Sequence, residues 1–265
     1  MTATTSSGEA ALAVRGLRKR FGGVVAVDDV TFDVAAGTLT ALIGPNGAGK
    51  TTLFNLLTNL YRADAGTIAF FGAPLGGKSS DAIARLGLVR TFQSARVFPG
   101  MTVLENVLAG MHARVRTSPW SHAFALPAAT REERAMTRRA EELLEVLGIG
   151  DVRDRDALAL PLGTQKIVEL VRALIARPRM LLLDEPAAGL NDAETAQLAQ
   201  VLLAIHGSGT TVFVVEHNMA LVMGIADRVL VLDAGRLIAS GAPAEIQADA
   251  SVIEAYVGRA SQAVL

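Results

Sequence analysis

The sequence contains no cysteine among its 265 residues, which excludes disulfides and thiolate-bound metal. Its histidines, His112, His122, His206 and His217, are scattered, so a zinc site is not expected and any metal should arrive with a ligand. A formal net charge of −1 supplies no overall field to gather nucleic acid. No apolar run approaches the roughly 18 residues that a membrane-crossing helix requires. The polar stretch Met1 to Ala10 lacks the charged-then-apolar pattern of a secretory signal, so the chain is expected to stay in the cytosol. What the chain has is apolar mass: 51% of its residues are hydrophobic, enough for a sizeable core in one large domain or two small ones.

One stretch organises the rest. Gly44-Pro45-Asn46-Gly47-Ala48-Gly49-Lys50-Thr51-Thr52 fits the phosphate-binding loop pattern G-x-x-x-x-G-K-[ST] at every fixed position. The pattern carries weight only between a buried strand and a helix, where backbone N–H groups and the helix N-terminus face the phosphates together. The flanks agree: Thr38 to Ile43 reads as a short apolar strand, and Leu53, Leu56, Leu57 and Leu60 recur at the helical period. In that geometry the glycines let backbone approach the phosphates, Lys50 reaches the β- and γ-phosphates, and the Thr51 hydroxyl suits Mg²⁺.

In chain order, residues 1–10 are expected to be a disordered tail and 11–265 a single domain. Leu12 and Val14, then Val30, Phe32 and Val34, alternate with polar or small residues, which predicts two antiparallel strands joined near Phe21-Gly22-Gly23. Phe21 at that turn reads either as a core aromatic or as an exposed ring able to stack on a base. A strand over Thr67 to Phe71 is followed by a loop through Gly76-Gly77-Lys78-Ser79-Ser80. From about residue 94 to 163 the strand pattern gives way to an inserted helical subdomain. Capping boxes at Thr102–Glu105 and Thr130–Glu133 are expected to start its helices, with Arg114 to Thr130 as a loop between them. Met136, Ala140, Leu143, Leu144 and Leu147 form the apolar stripe of the second helix, and Gly148 its C-terminal cap. The α/β pattern then resumes. Ile167 to Leu174 and Leu198 to Ile205 read as helices, Met180 to Leu183 and Thr211 to Val215 as buried strands. Arg228 to Asp233 and Leu237 to Ser240 read as a hairpin about Ala234-Gly235, and Val252 to Val257 as a last short helix.

The second chemical cluster is Leu181-Leu182-Leu183-Asp184-Glu185-Pro186, two acids at the C-terminal end of an apolar strand, where an α/β sheet presents its ligand crevice. Asp184 is suited to hold Mg²⁺, and Glu185 to polarise a water that attacks a γ-phosphate. Alone, two such acids usually mark a solvated turn, and the phosphate loop is what makes the pair chemical.

Gly44 to Thr52, Gln93, Leu160-Pro161-Leu162-Gly163-Thr164-Gln165, Leu183 to Pro186 and His217 occur in the order found in ABC transporter ATP-binding subunits. The chain after Ala10 resembles that family along nearly its whole length. Lys19-Arg20-Phe21-Gly22-Gly23, Arg90-Thr91-Phe92-Gln93, Phe98 to Val107 and Ala188-Gly189-Leu190-Asn191 look more narrowly like its branched-chain amino acid importer branch. The resemblance implies a RecA-like α/β core of the phosphate-loop NTPase class, with an antiparallel β subdomain and the inserted helical subdomain. It implies ATP and Mg²⁺ as ligands, with Gly44 to Thr52 cradling the phosphates, Phe21 stacking on adenine and Leu162, Gly163, Thr164 and Gln165 gripping the nucleotide of a second subunit. It also implies that Thr51 and Asp184 hold the metal, that Gln93 joins Mg²⁺ or the attacking water as a catalytic residue and senses the membrane subunit, that Glu185 is the general base and that His217 contacts the γ-phosphate. Read singly, Gln93 would be a surface amide and His217 a satisfied loop histidine. The chain departs from the family pattern at Pro161, where a serine is usual. Proline removes a hydroxyl and an N–H, so the grip should fall on Gly163, Thr164 and the helix N-terminus that follows. At Asn191 an acid is usual.

One phosphate loop and one signature per chain imply a homodimer, or a heterodimer with a paralogous ATPase subunit. The family further implies two polytopic membrane permease subunits docked near Gln93 and the apolar segment Val97 to Met111, with Phe98, Met101 and Val103 as candidate contacts. A substrate-binding protein would act indirectly, nucleic acid would play no part, and the location would be peripheral, at the cytoplasmic face of the membrane. The expected function is ATP-driven import of branched-chain or similar amphipathic amino acids. The alternatives are a transporter ATPase for urea, amides or an exported lipid, and a soluble ABC-type ATPase acting on nucleic acid or the ribosome. The last is disfavoured by the absence of a second cassette and of a long coiled coil.

Overall fold

The computed structural model describes residues 10–91, 97–111 and 127–260, which divide into two compact units. Of the described residues, the first comprises 10–90, 179–186 and 205–260, and the second 91, 97–111, 127–178 and 187–204.

The first unit contains two sheets. Strands β1 (Ala10–Phe21), β2 (Val24–Ala35), β4 (Ala65–Phe70) and β5 (Ala73–Pro74) form an antiparallel sheet in the order β2-β1-β4-β5. In β2, Val30, Phe32 and Val34 are buried while Thr31 and Asp33 face solvent, the period-two alternation of a sheet with one wet face. Phe21 pairs with Val24 across a turn whose Gly22 takes φ +56°.

The second sheet has the order β10-β9-β3-β8-β7-β6, built from β3 (Leu39–Ile43), β6 (Leu88–Arg90), β7 (Met180–Asp184), β8 (Thr211–Val215), β9 (Arg228–Asp233) and β10 (Arg236–Gly241). Its neighbours are parallel except for the closing β9-β10 hairpin. Every residue of β3, β7 and β8 is buried, which is why these strands read as continuous apolar runs without alternation. One apolar cluster serves both sheets and helix α1 (Lys50–Leu57). At its centre Phe213 of β8 lies between Phe54 of α1, with ring centroids 5.3 Å apart, and Phe32 of β2 at 5.7 Å.

One local expectation is corrected here, and two elements appear that the sequence reading does not include. Helix α1 stops at Leu57, so Leu60 lies beyond it and is exposed. Asn59 takes the left-handed conformation (φ +53°) while its amide donates to the carbonyls of Leu75 and Lys78, which ends the helix and ties it down. Gly76 to Ser79 form the expected loop, at whose end the Ser79 hydroxyl accepts from Ala82 N and caps a helix that the sequence reading does not include, α2 (Ser80–Arg85). The short strand β6 follows it, and its three residues carry too little pattern to stand out in the sequence.

Among its described residues the second unit has helices, turns and an isolated bridge between Thr102 and Asp156. Helix α3 (Val103–Ala109) starts at the expected capping box: Glu105 N donates to Thr102 Oγ1, and Thr102 N donates to Glu105 Oε2. Its next two N–H groups, of Val103 and Leu104, donate to the carbonyls of Arg155 and Arg153, so tertiary contacts complete the cap. Helix α4 runs Pro127–Val146, so the expected start at Thr130 is wrong and the expected loop ends earlier. Proline at a first helical position needs no N–H there and has φ already set, which outweighs the capping-box pattern three residues later. Residues 112–126 of that expected loop lie outside the described residues. Ala140, Leu144 and Leu147 are buried, and Gly148 follows at φ +74° as the expected C-terminal cap. Helix α5 (Leu162–Leu174) buries Ile167, Leu170, Val171 and Leu174. Helix α6 (Asp192–Gly207) contributes residues 192–204 to this unit. Of the three candidate contacts, any of which could instead be core, Val103 is fully buried, whereas Phe98 and Met101 are 45% and 40% exposed. The C-terminal helix is longer than expected, Ala250–Ala260.

Candidate active site

In the first unit, β3, β8 and β7 lie side by side and parallel, so the residues that follow them emerge at one edge of the sheet. After β3 comes the phosphate loop, after β7 Glu185, and after β8 Glu216 and His217. Register ties them together: Leu42 pairs with Val215, and Val215 with Asp184.

The loop is seated on its own chain. A Cβ on Gly44 (φ +151°) would stand 2.0 Å from the Leu232 carbonyl oxygen, and one on Gly49 (φ +102°) 2.3 Å from that of Ala26. These two glycines are therefore required by packing within the protein, a different reason from close approach to phosphate. Gly47 at φ +79° has open space where its Cβ would be, so its requirement is conformational. Ala48 is buried, its N–H donates to the Pro45 carbonyl, and its carbonyl accepts from Gly235 N in the β9-β10 turn. Asn46 and Thr51 are exposed, and Thr52 is half-buried.

Lys50 is buried and its Nζ donates to the carbonyls of Gly44 (2.7 Å) and Pro45 (3.1 Å). Burial pushes its pKa below the ordinary lysine value, and the charges of Glu185 and Asp184 act in the opposite sense. Helix α1 carries no acid in its first turn and no side-chain cap at Gly49. The loop thus joins a lysine, two threonines and an uncapped helix N-terminus, a donor set that fits phosphate oxygens.

Asp184 is 7% exposed, and its Oδ2 accepts from Arg90 Nη2 at 2.6 Å. Among the described residues its Oδ1 accepts no hydrogen bond. The second oxygen of this largely buried acid, with the Thr51 hydroxyl on the adjoining loop, fits a hard cation that prefers oxygen ligands. Glu185 takes φ +48°, a conformation costing a non-glycine residue on the order of 1 kcal/mol, while its N–H donates to the Val215 carbonyl at 2.9 Å. Its Oε2 lies 3.8 Å from His217 Nδ1, a close approach beyond hydrogen-bond length. Glu185 is partly buried and His217 largely exposed, which suits a pair working at the mouth of a crevice.

Sequence reasoning missed Glu216. It is fully buried, and its carboxylate accepts from the N–H groups of His217 (3.1 Å) and Asn218 (3.3 Å). Asn218 in turn caps helix α7 (Met219–Ile225) through Leu221 N. The loop bearing His217 is therefore held at both ends. An acid directly after a buried apolar strand was the available signal.

Phe21 is 43% exposed and meets Tyr61 edge to face, with centroids 5.3 Å apart. Lys19 Nζ stands 5.4 Å from the Phe21 ring and is held by Asp64, which also accepts from Arg20 N. These bonds keep the Asp64 carboxyl below the ordinary range. An exposed ring fixed by neighbours favours the stacking reading over the core reading for Phe21. Gln93 lies outside the described residues.

In the second unit the signature stretch is internally engaged. Pro161 precedes the first turn of α5, Leu162 is exposed, and Gly163 is buried with its N–H donating to Glu194 Oε1 at 3.2 Å. Gln165 Nε2 donates to the carbonyls of Leu158 and Leu160, and Thr164 is half-buried. Asn191 is the reciprocal partner of Glu194: Glu194 N donates to Asn191 Oδ1 and Asn191 N to Glu194 Oε2, a capping box at the start of α6.

Against known families, residues 27–188 match the model of the ABC transporter family and residues 236–261 that of the branched-chain amino acid ATP-binding cassette transporter. The high-affinity branched-chain amino acid transport ATP-binding protein LivG of Escherichia coli strain K12 is 42% identical over 250 residues, covering 94% of this chain and 98% of LivG. BraF of Pseudomonas aeruginosa, described in the same words, is 41% identical over 250 residues, with the same coverage of 94% and 98%. Among solved structures, the ADP conformation of an ATP-binding cassette of an ABC transporter aligns with a TM-score of 0.81 at 33% identity, covering 94% of this chain and 99% of that one.

Proposed function

We propose, from the premise that this chain belongs to the ABC transporter family as an ATP-binding and -hydrolysing subunit, that it powers an importer of branched-chain or similar amphipathic amino acids. The observation that carries the ATPase chemistry is the meeting of Lys50, Asp184 and Glu185 at one edge of the parallel sheet. The likeness to LivG and BraF supports the choice of substrate.

In this reading Lys50 leaves the Gly44 and Pro45 carbonyls for the β- and γ-phosphates, and the N–H groups at the start of α1 take phosphate oxygens. Phe21 offers a ring face to adenine. Thr51, Asp184 and Gln93 would hold Mg²⁺, which would supply positive charge to offset that of the phosphates. Glu185 accepts a proton from the water that attacks the γ-phosphorus, as the bond to the β,γ-bridging oxygen breaks to leave ADP and phosphate. His217 donates to a γ-oxygen. Gly163, Thr164 and Gln165, with Leu162 beside them, meet the nucleotide held by a second ATPase subunit, identical or paralogous. For Gly163 that requires releasing Glu194. The exposed Phe98 and Met101 receive two polytopic membrane permease subunits at the cytoplasmic face, and a substrate-binding protein delivers the cargo on the far side.

The test is reconstitution in proteoliposomes with candidate membrane permease subunits and a substrate-binding protein. ATP-dependent leucine or valine uptake, abolished by Lys50→Ala, is the expected result. ATP-dependent uptake of urea or an amide alone would replace the substrate, and ATPase activity that ignores the membrane subunits would sink the transport reading.

A further inference from the structure

We infer that Arg90 is a positioning residue for the divalent metal, holding the Asp184 carboxylate in one orientation by bridging it to the phosphate-loop helix. This rests on the metal role of Asp184 proposed above. Arg90 is the last residue of β6, and its side chain is 9% exposed, as is that of Asp184. Nη2 donates to Asp184 Oδ2 at 2.6 Å, while Nη1 donates to Asn55 Oδ1 at 2.7 Å and approaches Thr58 Oγ1 at 3.4 Å. The guanidinium carbon sits 5.6 Å from the centroid of the Phe54 ring. Asn55, Thr58 and Phe54 come from α1 or its C-terminal cap, so one planar group links the helix that follows the phosphate loop to the acid that ends β7.

The chemistry follows from geometry. A carboxylate free to rotate presents either oxygen, or both, to a cation. With one lone pair of Oδ2 committed to Arg90, the carboxylate plane is held and Oδ1 is the oxygen left fully open, its direction set by Arg90 and thus by Asn55. A guanidinium suits this because its fork serves two acceptors in a fixed plane, whereas a lysine ammonium is a point charge on a flexible stem. Partners one step removed from a metal commonly set the orientation of its ligands in this way.

The experiment measures ATP affinity of the full chain by displacement of a fluorescent ATP analogue, in Mg²⁺ and in EDTA, for the unaltered protein, Arg90→Lys and Asn55→Ala. Arg90→Lys keeps the positive charge and loses the fork, and Asn55→Ala keeps the Arg90–Asp184 pair and loses its anchor. Circular dichroism melts establish that each variant is folded. In both, the affinity gained on adding Mg²⁺ is expected to fall about tenfold while affinity in EDTA stays within about twofold of the unaltered chain. Retention of the full gain by either variant, or an equal loss in EDTA, overturns the inference and leaves Arg90 a structural clip. An unaltered chain whose ATP affinity ignores Mg²⁺ would instead overturn the metal role of Asp184 itself, and the inference with it.

Discussion

The two units hold their chemical groups by different means. In the first, Gly44, Glu185 and His217 follow strands whose every residue is buried, and the ladder between β3, β8 and β7 sets their spacing. In the second, the groups proposed to meet a partner's nucleotide sit at helix starts, bound to their own neighbours: Gly163 to Glu194, Gln165 to Leu158 and Leu160. A strand ladder resists local change because moving one residue breaks its whole register. A capping contact exchanges for a ligand at the cost of one or two hydrogen bonds. On the proposed reading the first unit holds the reaction geometry, and the second gives up internal bonds when a partner arrives.

Substitutions in either unit can break that contrast. The largest effect belongs to Glu185→Gln, which keeps shape and removes the proton acceptor, so hydrolysis should fall roughly 10²–10⁴-fold with ATP binding retained. Size-exclusion with light scattering should then show a dimer with ATP and not with ADP, absent in Lys50→Ala. Near-normal hydrolysis by Glu185→Gln would remove Glu185 as the base.

Next comes Asn106→Leu in the second unit. The fully buried Asn106 amide accepts from Phe98 N and donates to the carbonyls of Phe98, Met101 and Thr102. Its loss leaves those groups unpaired at a cost of about 1–3 kcal/mol. Hydrogen exchange should show residues 97–111 opening while ATP affinity is unchanged, whereas a parallel loss of ATP affinity would show that the two units do not behave separately.

Phe21→Ala should weaken ATP and GTP alike by about 1 kcal/mol or somewhat more, since a stacked ring does not read base edges. Unchanged affinity in direct titration would return Phe21 to a purely structural role beside Tyr61. The smallest effect is expected from Glu194→Ala, which removes the α6 capping box for about 0.5 kcal/mol of stability. In the Glu185→Gln background it should lower the ATP concentration needed for dimerisation, because Gly163 N–H is no longer held. A higher requirement would show that Glu194 orders the signature for its partner.

Much of the first unit was legible because its signals are local. The strand before Gly44, the leucines after Lys50 and the apolar run ending in Asp184 and Glu185 each state their structure within a few residues. The missing parts depend on distant neighbours. Nothing around Arg90 announces that it pairs with Asp184, 94 residues away. Nothing around Glu216 indicates that its buried carboxylate folds back on the next two N–H groups. In the second unit the capping box at Thr102 was read correctly and the one at Thr130 was not, since Pro127 had already started the helix. A four-residue pattern cannot register that an earlier residue has done its work. Leu60 failed similarly, because the leucine period continues past Asn59 while the backbone does not.

The seating of Gly44 against the Leu232 carbonyl bears on how relatives of this chain should be read. Because a Cβ there would collide with β9 whether or not a nucleotide is ever bound, that glycine marks the fold and not the activity. Lys50 reports the reverse: its ammonium rests on two carbonyls and strains against burial, an arrangement that folding alone gives little reason to keep. A descendant that had ceased to use ATP would keep its glycine under selection for shape and let its lysine drift. The two ends of a single loop thus keep separate histories, and only the lysine end tells whether the site is still at work.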